Sequence, residues 1–267
     1  MVPVHMTDPT ENHPHSAIRA DGLTLAHGAT VALHAATFAI PAGRTTAIIG
    51  PNGSGKSTLL HGIAGLHEPK EGTIEVLGGP PGDRTAVAYV PQHLHANDQL
   101  PISAREVVTM GRYAHRGAWG RLRAEDRAAV DTAMERLRVT DLGRRQLGEL
   151  SGGQRQRVLV AQALAQEATI LLLDEPLTGL DPPSQERILE VVDEERDAGH
   201  TVVASTHSLS DAATADHLLL LQGRVVAQGA PNDVLTEQNL TEAYGQMVIR
   251  FGEGTVLLDD TPHHHPN

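Results

Sequence analysis

The chain has 267 residues, 40% of them hydrophobic, and a net charge of −12. That length supports a sizeable core in one large α/β domain or two small ones. The acidic balance and 2% aromatic content argue against a polyanion-binding surface or a base-stacking platform, so nucleic acid is not expected as a partner. Absence of cysteine excludes disulfides and thiolate metal sites.

No apolar stretch approaches the length of a membrane span, and residues 1–15 carry His, Pro and acidic residues in place of a signal peptide. The expectation is a soluble, cytoplasmic chain. Residues 1–17 read as a mobile tail. Ile18–Leu25, Val31–His34 and Ala36–Ile40 alternate as strands do, and Pro41-Ala42-Gly43 turns into a buried strand at Thr46–Ile49. The next stretch, Gly50-Pro51-Asn52-Gly53-Ser54-Gly55-Lys56-Ser57, fits the phosphate-loop pattern G-x-x-x-x-G-K-[ST] at every specified position, and Ser57–Ile63 reads as the helix that such a loop opens. Glycines at 50, 53 and 55 let successive N–H groups point at phosphate oxygens beside a positive helix end. This predicts a nucleotide site in which Lys56 would reach the β- and γ-phosphates and Ser57 would ligate Mg²⁺. Lys56 is one of only two lysines in the chain.

Glu71–Gly79 and Ala86–Val90 read as strands, so that an antiparallel sheet flanks a parallel core. From Ala104 to Leu147 the apolar spacing turns helical, a helical insert within about residues 93–165. Leu150-Ser151-Gly152-Gly153-Gln154 opens a further helix that runs through Leu164. A Ser-Gly-Gly turn at a helix start offers free N–H groups and a hydroxyl, a second anion site; a plain Ser N-cap explains Ser151 but not the rest. The two phosphate-binding turns converge within one molecule or meet across a dimer, and spacing does not choose.

Ile170–Leu173 and Thr201–Ala204 are short apolar runs of the kind found in parallel strands buried on both faces, alternating with helices at 183–198 and 208–215 in a doubly wound arrangement. Asp174 and Glu175 stand at the C-terminal end of the first run, where Asp174 fits a Mg²⁺ ligand and Glu175 a general base for attacking water. His207 follows the second run and Gln92 follows the strand at 86–90. His217–Gln228 reads as a hairpin turning at Gln222-Gly223, and Met247–Phe251 with Thr255–Leu258 as another.

In this order the motifs resemble the ATP-binding cassette of ABC transporters over about Leu23 to Tyr244. The elements are the phosphate loop with Thr58 after it, Gln92, the Leu150–Gln154 signature, Asp174–Glu175, Leu180-Asp181 and His207. The resemblance implies a P-loop NTPase core with a parallel sheet, a flanking antiparallel β subdomain and an α-helical signature subdomain, spanning residues 18–244. It further implies that two copies stack head to tail with Ser151, Gly152, Gly153 and Gln154 of one facing ATP on Lys56 of the other, that Asp181 lies at the seam, that Gln92 joins Ser57 and Asp174 on Mg²⁺, and that Gln92 and His207 assist Glu175. Members usually stack an aromatic on adenine; His27 stands there instead, and an imidazole stacks less extensively than a phenol ring.

Leu100–Tyr113, with its Val108-x-x-Gly111-Arg112-Tyr113 run, resembles importer ATPases for zinc, manganese and iron chelates; siderophore and cobalamin importers share it. This implies a membrane permease, an extracytoplasmic substrate-binding protein acting indirectly, and a place on the inner face of the cell membrane, with zinc or manganese as cargo. A soluble non-transport ABC ATPase is the alternative; it would usually have tandem cassettes or a long coiled-coil insertion, and neither is present. The sixteen His, including His263-His264-His265, fit a metal theme only loosely. Residues 245–267 read as a hairpin and His-rich tail without a clear counterpart in the family.

Overall fold

The computed structural model describes residues 16–92, 101–117, 120–245, 248–251 and 254–257. Strands β1 (Ser16–His27) and β2 (Thr30–Pro41) form an antiparallel pair, and after β3 (Thr45–Ile49) and α1 (Lys56–Ile63) strand β4 (Glu71–Val76) joins the other edge of β1. Strand β1 thus reaches two residues into the segment read as tail, and Ala17 is buried in it. The two strands expected at 31–34 and 36–40 are one, β2, with Ala35 between them at φ 44. That left-handed residue interrupts the alternation without ending the pairing. Strand β4 stops at Val76, short of Gly79, because Leu77 and Gly78 take positive φ and Gly79 turns back on Val76.

Next come β5 (Val87–Val90), α2 (Ala104–Met110), α3 (Tyr113–Arg116), α4 (Ala124–Arg136), α5 (Gly152–Leu164), β6 (Ile170–Leu173), α6 (Pro182–Asp197), β7 (Thr201–Ser205), α7 (Leu209–Ala212), β8 (His217–Leu221) and β9 (Val225–Gly229). The larger sheet has the order β5-β6-β7-β3-β8-β9, parallel except for the final antiparallel pair. Strand β3, which feeds the phosphate loop, is therefore central, and all five of its residues are buried. The helix expected at 208–215 shortens to α7, capped by Ser208 and followed by turn residues. Helices α8 (Pro231–Val234) and α9 (Glu237–Tyr244) were not anticipated. Strands β10 (Val248–Phe251) and β11 (Gly254–Leu257) form the C-terminal antiparallel hairpin. Met247, Leu258 and the His-rich ends, His13, His15 and His263–His265 included, lie outside the described residues.

Two buried clusters divide the labour. Leu59, Leu60 and Ile63 of α1 pack with the antiparallel sheet and with Ile48, Leu172 and Val203 on one face of the larger sheet. Val158 and Val160 of α5 pack with α2, α4 and α6 and with Leu171, Leu173 and Val202 on the opposite face. The phosphate-loop helix and the signature helix are thus held by different cores. Within the helical part, Arg112 and Asp126, both buried, are joined by a 3.0 Å ion pair, and Arg112 also donates to the Ala165 carbonyl and to Glu167.

Candidate active site

The phosphate loop follows β3 directly. Gly50, Gly53 and Gly55 have φ of 151°, 77° and 100°, so the curl runs through backbone that L side chains avoid. A Cβ on Gly50 would stand 2.1 Å from the Leu221 carbonyl oxygen and one on Gly55 2.7 Å from that of Ala32, whereas one on Gly53 would meet open space. The loop is therefore clamped to β8 and β2 at its two ends and open at its middle. Lys56 Nζ lies folded over the loop, donating to the Gly50 carbonyl at 2.8 Å and the Pro51 carbonyl at 3.2 Å. No side chain caps α1; its N-cap is Gly55. The helix start thus offers backbone N–H groups to an anion. Pro51 and Asn52 form the outer rim, with Asn52 exposed. Thr58, in the first turn of α1, meets His27 Nε2 at 3.1 Å, and the His27 ring lies 4.7 Å from that of His67 at a 47° tilt. His67 carried no sequence signal of its own.

Strands β6 and β7 end beside one another. Asp174, 3% exposed, accepts 2.6 Å from Ser205 Oγ at Oδ1 and 3.3 Å from the Tyr89 hydroxyl at Oδ2. A buried carboxylate so placed fits a bound cation, and the surrounding oxygen donors suit Mg²⁺. Glu175, at φ 45, is the next residue, and its backbone N–H donates 2.9 Å to the same Ser205 Oγ. Its Oε2 accepts from Gln92 Nε2 at 2.7 Å and from Thr178 Oγ1 at 3.2 Å, with His207 Nδ1 at 3.8 Å. Three stretches widely separated in sequence so meet at one carboxylate oxygen. A cavity of about 570 Å³ opens beside Glu175, Ser205 and His207.

The signature turn differs from the phosphate loop. Ser151 Oγ accepts from the Gln154 N–H at 3.3 Å and Gln154 Oε1 accepts from the Ser151 N–H at 3.1 Å, a reciprocal capping box on α5. This accounts locally for both Ser151 and Gln154. Gly153 is required by packing: its Cβ would fall 2.2 Å from Asp181 Oδ1 and 2.5 Å from Ser184 Oγ. Gly152 faces open space. Asp181 caps α6, accepting from the Ser184 N–H, and the Ser184 hydrogen bonds hold its carboxyl below the usual carboxylate range. Ser151 and Gly152 are exposed.

Residues 33–178 match the family model described as ABC transporter. The chain belongs to the ABC transporter family. It is 39% identical to the manganese transport system ATP-binding protein MntA of Synechocystis over 85% of this chain and 90% of that one. It is 40% identical to the ferric enterobactin transport ATP-binding protein FepC of Escherichia coli, over 85% of this chain and 87% of that one. Among solved structures it resembles a dimeric ATP-binding cassette in a post-hydrolysis state bound to ADP and phosphate, with TM-score 0.72 and 27% identity, covering 80% of this chain and 98% of that chain. This ABC ATPase therefore binds ATP and hydrolyses it to ADP and phosphate in the service of transport. Among its described residues no helix is long and apolar enough to cross a membrane.

Proposed function

We propose that this cassette is the ATP-hydrolysing subunit of an importer for a metal ion, manganese or zinc, working on a separate membrane permease fed by an extracytoplasmic binding protein. The convergence of Gln92, Thr178 and His207 on Glu175 Oε2 carries the catalytic part. In this reading Glu175 takes a proton from the attacking water, His207 approaches the γ-phosphate, and Gln92, once released from Glu175, would supply an oxygen to the metal. Gly50–Thr58 hold the triphosphate and His27 the base. Ser57, Asp174 and Gln92 would hold Mg²⁺, which would offset the negative charge of the phosphates.

The signature turn completes the site from a second copy. Its Ser151 oxygen accepts from its own helix, yet the hydroxyl keeps its proton for a γ-phosphate, and Gly152 beside it is exposed with open space around it. The cargo reading rests on the likeness to the manganese system, and the similar likeness to the enterobactin system favours a ferric chelate as the second reading. Reconstitution with the permease that co-purifies from membranes, followed by ATP-driven uptake of Mn²⁺, Zn²⁺ and a ferric chelate, separates them. Uptake of none of the three would overturn both.

A further inference from the structure

Tyr89 stands between the two elements that carry the Mg²⁺ ligands. Its hydroxyl lies 2.9 Å from His61 Nε2 on α1 and 3.3 Å from Asp174 Oδ2 at the end of β6. The Tyr89 and His61 rings meet edge to face, centroids 5.3 Å apart at 80°. A phenol has one proton, and the carboxylate can only accept. The proton of Tyr89 therefore points to Asp174, and the phenol oxygen accepts from His61 Nε2–H. This direction holds for charged His61 and for the neutral tautomer that carries its proton on Nε2.

His61 is four residues after Ser57, one turn along the same helix. The link His61–Tyr89–Asp174 consequently fastens the helix that presents the hydroxyl ligand to the strand that presents the carboxylate ligand. Ser205 already holds Oδ1 at 2.6 Å; the Tyr89 bond to Oδ2 fixes the remaining rotation of the carboxylate. We propose that Tyr89, oriented by His61, is a positioning residue that sets the geometry of the Asp174 and Ser57 metal site. The proposal rests on the assignment of Mg²⁺ to these two residues.

The test compares Tyr89→Phe with the wild-type chain, using Mn²⁺ as a paramagnetic substitute for Mg²⁺ and electron paramagnetic resonance to count bound metal. Binding of ATP in EDTA should be unchanged, whereas the Mn²⁺ affinity of the ATP-loaded variant should fall about 10-fold, as for loss of a group that orients a metal ligand. The Mg²⁺ concentration for half-maximal hydrolysis should rise by the same factor, with the rate at saturating Mg²⁺ within about threefold of wild type. His61→Gln, which keeps an N–H donor, should lie closer to wild type than His61→Ala. Equal Mn²⁺ affinities for wild type and Tyr89→Phe would overturn the positioning role. A wild-type chain that binds ATP but holds no Mn²⁺ with it would overturn the underlying metal assignment.

Discussion

Gln92 Nε2 donates a 2.7 Å hydrogen bond to Glu175 Oε2 across 83 positions of sequence. The Gln92 amide nitrogen thus occupies one oxygen of the proposed general base, while its amide oxygen is the group proposed for Mg²⁺. In the proposed mechanism, turning the Gln92 amide away from Glu175 would free the base and bring the amide oxygen to the metal.

The first expected outcome concerns that carboxylate. Glu175→Gln keeps the bulk and loses the base, so hydrolysis should fall about 100-fold or more while ATP stays bound. Single-turnover hydrolysis together with retained nucleotide measures both. Wild-type turnover in the variant would remove Glu175 from the mechanism.

The base platform gives the second. His27 is exposed and held by Thr58 and the His67 ring, a smaller surface than one Tyr ring. His27→Tyr should leave hydrolysis intact and tighten ATP binding about twofold to fivefold, on the order of one aromatic contact. Weaker binding by equilibrium titration would count against placing adenine there.

At the signature turn the two glycines should behave differently. Gly153→Ala drives a methyl group against Asp181 and Ser184 and should cost about 1–3 kcal/mol of stability. Gly152→Ala meets open space, so its melting temperature should match wild type while ATP-driven association weakens. Thermal melts and sedimentation of the two variants distinguish packing from recognition.

Acid should act through Asp126. The Arg123 backbone N–H, followed by the Arg116 and Arg112 guanidinium groups, holds this carboxyl well below the ordinary range. A depressed folded pKa stabilises above the unfolded value of about 4 and is lost as pH falls towards the folded value. Asp126→Asn should therefore lower the melting temperature at pH 7 and flatten its decline below about pH 4. Parallel declines in variant and wild type would assign the acid sensitivity elsewhere.

The sheet was legible because Thr46–Ile49, Ile170–Leu173 and Thr201–Val203 are buried and so read as short, largely apolar runs. The phosphate loop was legible because its glycines are imposed by local backbone conformation. Ala35 hid the continuity of β2, since nothing in an alanine announces positive φ. Tyr89 and His61 were illegible as a pair: they sit 28 positions apart on elements with ordinary packing patterns, and only the fold brings the hydroxyl to Asp174. Gly153 was read as part of an anion site, whereas its local necessity is the close approach of α6.

The most direct test of a site shared between two copies uses mixtures. One chain carries Lys56→Ala and Glu175→Gln, the other Gly152→Asp and Glu175→Gln, and sedimentation is followed with ATP and Mg²⁺. Each chain alone should remain monomeric, because neither can form a sandwiched nucleotide. The mixture should dimerise, since the intact phosphate loop of one copy meets the intact signature of the other. A mixture that stays monomeric, while Glu175→Gln alone dimerises with ATP, would contradict the shared site.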